Sequence, residues 1–257
     1  MTWLQQLLLL CPLLFIAGII DGVSGGGGLI ALPAYLLAGL PVSSAYGCNK
    51  MQSCLGTSAS MAKYIQSGLF DLKAALPAAG TAMIGAWCAT QVMLKLSDPT
   101  KKLIIIAATC FVIGIMLLSG RMKVENYTLR HIAFSQKNII MSMGIGLLLG
   151  LYDGFFGPGG GTVAILLFAI FMKYDLRVGC GNGKFIIVVS NFISMVTYMV
   201  HGNVIYKIAL PCSACNILGS YLGASLATKK GANFVKYVSW VVAGMLLIYT
   251  VWELILG

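Results

Sequence analysis

The sequence predicts an all-α polytopic membrane protein made of two inverted repeats, each with a glycine-broken helix or hairpin followed by three membrane-spanning helices. Three observations carry that prediction. Of 257 residues, 59% are hydrophobic and 9% charged, with mean hydropathy +0.91, whereas soluble domains carry about 25% charged residues. Apolar stretches near the ~20 residues needed to cross a bilayer recur along the chain, and the alternating strands of an outer-membrane barrel do not. Finally, one polar phrase occurs twice, as D-G-V-S-G-G-G-G from Asp21 to Gly28 and as D-G-F-F-G-P-G-G-G from Asp153 to Gly161.

The first half opens with an apolar helix over about 3–20. Its start, M-T-W-L-Q-Q, has no basic region and no small-residue cleavage site, so it reads as a membrane helix and not as a removed signal peptide. The glycine break follows, then a short apolar piece over about 29–39, then three longer segments at about 44–66, 72–95 and 100–120. The second half repeats the order: about 138–152, the break, about 162–172, then about 178–200, 205–228 and 233–256. A short piece of about eleven residues reaches about 16 Å at 1.5 Å per residue, which cannot cross a ~30 Å core. Each break is therefore the tip of a re-entrant hairpin or the middle of a discontinuous helix.

The halves align residue by residue. At a shift of 134, Gly47 meets Gly181, Lys50 meets Lys184, Tyr64 meets Tyr198, Gly68 meets Gly202, Lys73 meets Lys207, Pro77 meets Pro211 and Gly85 meets Gly219. The Asp–Gly phrases align at a shift of 132, the second being one residue longer. This order points to a duplicated unit with repeats at 1–120 and 138–257, joined by the glycine-free polar stretch 121–137. Loop charge discriminates between topologies. With hairpins, the loops near Lys73, Arg121 to Lys137, Lys173/Arg177 and Lys229/Lys230 share one face. The loop with Lys95, Lys101 and Lys102, together with Lys207, falls on the other. The positive-inside rule then favours hairpins, both termini outside, and repeats inverted relative to each other. The net charge of +10 belongs to these loops and does not imply nucleic acid.

Candidate site residues follow from what lipid penalises. Non-helical backbone at membrane depth survives only against protein or a water-filled cavity. Gly25, Gly26, Gly27 and Gly28, with Gly157, Gly159, Gly160 and Gly161, allow close ligand approach, and their amides precede short helices, where anions bind. Isolated glycines such as Gly80 and Gly146 read instead as close-packing positions. Asp21 and Asp153 are buried carboxylates, costing at least ~2.5 kcal/mol on insertion scales. They either cap the breaks, pair with lysines or handle protons. Lys50 and Lys184 recur in both halves, some six residues into membrane helices. Snorkelling to the interface would be the bland account; two lysines and two aspartates meeting at the centre make a neutral set. Asn49, Asn182, Ser190 and Asn191 sit on the same helices and offer hydrogen bonds to substrate oxygens or to neighbouring helices. Eight cysteines are scattered through apolar sequence, and the C-x-x-C of Cys212 and Cys215 has no counterpart at Ala78 to Thr81. They read as small hydrophobes.

These residues resemble the TauE/SafE, or sulfite exporter, family, and within it the YfcA-like subgroup of bacterial inner-membrane proteins. The similarity rests on D-G-V-S-G-G-G-G-L-I-A-L-P, the G-C-N-K helix and Y-D-G-F-F-G-P-G-G-G-T. The resemblance implies a multi-pass inner-membrane transporter of sulfite, sulfonates or related organosulfur anions. It places the family's motifs on Asp21 with Gly25 to Gly28, on Asn49 and Lys50, on Asp153 with Gly157 to Gly161, and on Lys184. Where relatives often carry threonine before that asparagine and before the second lysine, this chain has Cys48 and Gly183. The expected function is secondary transport of small anions with alternating access between the repeats, and with proton coupling or ion pairing at the aspartates. The rival readings are a cation-handling permease or channel and an intramembrane thiol carrier using Cys212 and Cys215. The expected partners are a small anionic substrate and the lipid bilayer, with room for a homo-oligomer. No enzyme activity, nucleic acid partner, cofactor or metal site is expected.

Overall fold

The computed structural model describes residues 2–101 and 135–231 without interruption, together with 103, 104, 107, 233–235, 237, 238, 240, 241 and 244. Most of each helix expected near 100–120 and 233–256, and most of the polar stretch 121–137, lie outside these residues. The described residues form helices and no strand.

Helix α1 (Trp3–Ser24) starts on a capping box, in which the Thr2 hydroxyl accepts from the Gln5 amide and the Gln5 side chain accepts from the Thr2 amide. It runs through Asp21, beyond the expected end near residue 20. Only at Gly25, with φ 77°, does the chain leave the helix, its N–H donating to the Asp21 carbonyl. Helix α2 (Gly28–Leu37) then returns: the Gln6 side chain near the start of α1 donates to the Ala38 carbonyl just past α2, at 2.9 Å. The expected interruption is thus the tip of a hairpin. After Pro41, α3 (Val42–Gln66) and α4 (Leu72–Lys95) follow, the latter capped by the Asp71 carboxylate accepting from the Lys73 amide.

The later elements repeat this order. Helix α5 (Gln136–Phe155) carries Asp153 in its last turn and ends before Gly157 and Gly159, at φ 85° and 79°. Helix α6 (Gly160–Met172) folds back, so that Ser142 on α5 donates to Met172 Sδ at 3.4 Å. Helix α7 (Leu176–Val200) begins on Asp175, and α8 (Tyr206–Lys230) closes the described bundle. Helices α1, α5 and α7 are long and apolar enough to span a membrane. Helix α3 is also 25 residues long but carries the polar site residues.

Close packing sets the directions. Gly146, Gly150 and Gly154 of α5 lie against Ala78, Ala82 and Ala86 of α4, in ascending order on both helices. Gly18 and Gly22 of α1 lie likewise against Asn216 and Ser220 of α8. Both pairs therefore run parallel, through small residues that let backbones touch. Gly47 at the start of α3 meets Asn203 beyond the end of α7, and Gly181 near the start of α7 meets Leu69 beyond α3, so these two run antiparallel. Helices α1, α3 and α8 point one way and α4, α5 and α7 the other, and the two hairpins enter from opposite ends. Their tips abut: Gly25 lies against Gly161 and Gly28 against Pro158, and Thr162 donates to the Ser24 carbonyl at 2.9 Å. One apolar cluster sheathes each hairpin, around Leu14 and Tyr35 for the first and around Leu149 and Phe168 for the second.

Gly146 packs as expected, whereas no described residue lies within 4 Å of a Cβ built at Gly80. Gly150→Ala should therefore destabilise the protein by about 1–3 kcal/mol through overpacking against Ala82, and Gly80→Ala should cost nothing. Thermal unfolding of both variants in detergent checks this; equal losses would contradict the packing account.

Candidate functional site

The last turn of each long hairpin helix presents its aspartate to a lysine from the other half of the chain. Lys50 Nζ on α3 lies 3.0 Å from Asp153 Oδ2 at the end of α5, with both side chains at most 2% exposed. Lys184 Nζ on α7 lies 3.0 Å from Asp21 Oδ2 at the end of α1, and here the aspartate side chain is 15% exposed. Each ammonium also donates to the main-chain carbonyl of its aspartate, so each lysine closes the C-terminal turn of the opposite hairpin. Hydroxyls complete the carboxylates: Thr57 donates to Asp21 Oδ2 at 3.0 Å, and Ser190 donates to Asp153 Oδ2. Four charges that would be costly one by one in lipid are held as two neutral, hydrogen-bonded pairs.

Between the pairs lies a cavity of ≈ 20 Å³. It is bounded by Gly25 and Gly28 of the first tip, Gly157 and Gly161 of the second, and both aspartates. Asn49, Ser53 and Thr57 of α3, with Ile187 and Asn191 of α7, complete it. That volume holds about one water molecule. Helices α2 and α6 both begin at this cavity, at Gly28 and Gly160, directing the positive ends of two helix dipoles toward it.

The structure brings together most of the residues singled out in the sequence. Gly25, Gly28, Asn49, Asp21, Asp153, Gly157 and Gly161 line the cavity, and Lys50 and Lys184 pair with its aspartates. Gly26, Gly27, Gly159 and Gly160 form the turns behind the lining; a Cβ at Gly27 would overlap the Ala17 carbonyl and one at Gly160 would press on Ile187. Asn182 is elsewhere. Its Oδ1 accepts from the Asp71 amide at 2.8 Å, at the junction between α3 and α4. Ser53, Thr57 and Ile187 were not anticipated. Asn49, Ser53 and Thr57 recur at every fourth position, a polar stripe along one face of a membrane helix, and that periodicity was the available signal. Cys212 is buried and Cys215 half-buried on α8, and neither borders the cavity. Among the described residues no cluster of three metal-ligating side chains occurs.

A bundle of apolar helices, three of them able to span a membrane, with two hairpin tips meeting at a buried, charge-paired centre, fits a polytopic membrane transporter. The chain belongs to the sulfite exporter TauE/SafE family, whose sequence profile matches residues 10–252. It is 31% identical over 226 residues to the "Probable membrane transporter protein ORF9" of Sinorhizobium, covering 86% of this chain and 83% of that one. It is 26% identical over 222 residues to a "Probable membrane transporter protein" of Haemophilus influenzae (86% and 85% covered). It is also 26% identical over 244 residues to the "Probable membrane transporter protein YfcA" of Escherichia coli (93% and 88% covered). No solved structure matches it.

Removing one partner of a buried pair strands a charge at a cost of about 3–5 kcal/mol, whereas replacing both with apolar residues is often neutral. Asp153→Ala should thus lower thermal stability in detergent by that order, and Lys50→Met combined with Asp153→Leu should restore most of it. A double variant as unstable as the single one would mean that the pair is not the relevant unit.

Proposed function

We propose that this protein is a secondary transporter of small anions, with sulfite, sulfonates and related organosulfur anions as its substrate class, acting in the cell inner membrane. The observation that carries the proposal is the pair of crosswise lysine–aspartate bridges between two glycine tips. A lysine released from its carboxylate becomes an anion receptor. Protonating Asp21 or Asp153 would release it, so one proton and one monovalent anion can enter together while the centre stays neutral. Glycine amides and two helix N-termini offer donors for the oxyanion, with Asn49, Ser53, Thr57 and Asn191 beside them. Two lysines at the centre disfavour a cation as cargo.

Access follows from size. A cavity of ≈ 20 Å³ is too small for a sulfonate, so substrate must enter by parting the tips. We take α1–α4 and α5–α8 as the described parts of two inverted repeats that rock against each other. Support comes from the opposite directions of α1 and α5, of α3 and α7, and of α4 and α8. Because each bridge joins one repeat to the other, parting the repeats and freeing a lysine are the same event. Under this reading Cys212 and Cys215 are packing residues.

Reconstituted in proteoliposomes, Lys50→Ala and Lys184→Ala should each reduce sulfite or sulfonate flux at least tenfold while the protein stays monodisperse. The double variant Cys212→Ser with Cys215→Ser should transport normally. Wild-type flux in both lysine variants would sink the proposal. Flux of a divalent cation in place of the anion would favour the permease alternative.

A further inference from the structure

One corner of the fold occurs twice, with opposite chemistry. Where the second hairpin leads into α7, Tyr174 is buried and donates to Asp71 Oδ2 at 2.6 Å. The Asp71 amide donates to Asn182, and Asp175 caps α7. Side-chain hydrogen bonds tie this corner together, while the buried Asn182 Nδ2 has no partner among the described residues. At the shift of 134 that aligns the two halves, Tyr174, Asp175, Asp71 and Asn182 correspond to Leu40, Pro41, Ile205 and Cys48. A phenol, two carboxylates and an amide have become apolar groups. Beside these apolar groups lies a cavity of ≈ 590 Å³ lined by Trp3, Gln6, Leu40, Pro41, Ile205 and Lys207, among others.

The lining states what would fit. Its volume lies in the range of small-ligand pockets, about 300–1,000 Å³. Leu40, Pro41, Ile205 and the Trp3 ring present apolar surface, and Trp3 is fixed by its indole N–H donating to the Lys207 carbonyl at 3.1 Å. Lys207 supplies the single charge among the described residues of this lining. A cation at the rim of an apolar chamber matches an anionic head on an apolar body.

We infer that the Leu40–Ile205 corner is a binding vestibule for an organic anion that carries a short apolar chain, such as an alkanesulfonate, with Lys207 holding the head. The inference rests on the anion-transport reading above and extends it, because it gives this face of the protein a preference for organic anions. Chain length, and not charge alone, sets affinity at this face.

The test is titration of the full-length protein in lipid nanodiscs with straight-chain alkanesulfonates from ethane- to octanesulfonate, with empty nanodiscs as the blank. Affinity should rise about threefold to fourfold per methylene, the increment expected for burying a CH₂ group, until the chamber is full. Leu40→Tyr with Ile205→Asp, which gives this lining the phenol and carboxylate of the Tyr174–Asp71 corner, should flatten that rise. Leu40→Trp, which takes up part of the space without adding a carboxylate, should end the rise at a shorter chain. Lys207→Gln should weaken every chain length by about tenfold. The Lys50→Ala variant should keep the chain-length dependence while losing transport. Loss of the dependence in wild type, with Lys50-dependent sulfite flux intact, would overturn the vestibule alone. A persisting dependence without anion flux would overturn the transport reading instead. A phospholipid retained on the purified protein and lost in Leu40→Trp would make the corner a lipid site and would also overturn the proposal.

Discussion

Charge in a low-dielectric interior must be neutralised locally, and the whole arrangement depends on how this chain does so. Lys50 and Lys184 could each have found a carboxylate within its own half. Both instead reach across to the aspartate of the other half. This couples the two hairpins to the helices they face. Neither tip can shift without stranding an ammonium, a carboxylate and a helix C-terminus together. Main-chain carbonyls of Asp21 and Asp153 share the same ammonium groups, so backbone termination and charge balance are one interaction.

That crosswise pairing requires the tips to approach more closely than side chains permit. Gly25 and Gly161 lie so near each other that a Cβ on either would overlap the other's backbone. The small-residue seams of α4 with α5 and of α1 with α8 hold each long hairpin helix at backbone contact with a helix of the other half. Apolar side chains such as Leu76, Ile84, Leu148 and Leu222 are left on the outside, where lipid, not water, is the neighbour. The seams make hairpin position a property of the opposite half. In the reading proposed above, this is how a displacement at one access face is transmitted to the other.

Much of the helical layout was legible in the residues. The limits of α3, α4, α7 and α8 fall within a few residues of those read from hydropathy and turns, because length, apolar content and the breakers Pro41, Gly68 and Gly202 act locally. The hairpin form of the breaks was legible from loop charge. The exact point of each break was less so. Asp21 and Asp153 look like the start of an interruption, yet an aspartate is tolerated in a last helical turn when a lysine caps it, and only a positive-φ glycine ends the helix. Asn182 was misplaced for a related reason. It lies close in sequence to Lys184, but two residues along a helix turn it about 200° away, toward Asp71 and not toward the cavity.

The sequence by itself determined the class of protein, the positions of the helices, the two glycine turns and the four residues whose charge needs a partner. These follow from local rules: hydropathy, helix length, conformational freedom at glycine, and the cost of charge in lipid. Only the tertiary structure decided that the pairs form crosswise, that Ser53, Thr57 and Ile187 share the cavity, and that an apolar cavity opens beside Leu40 and Ile205. The physical reason is that those outcomes depend on which helix faces are opposed at van der Waals distance. That is set by backbone contacts between residues some seventy to two hundred positions apart, and no local pattern encodes it.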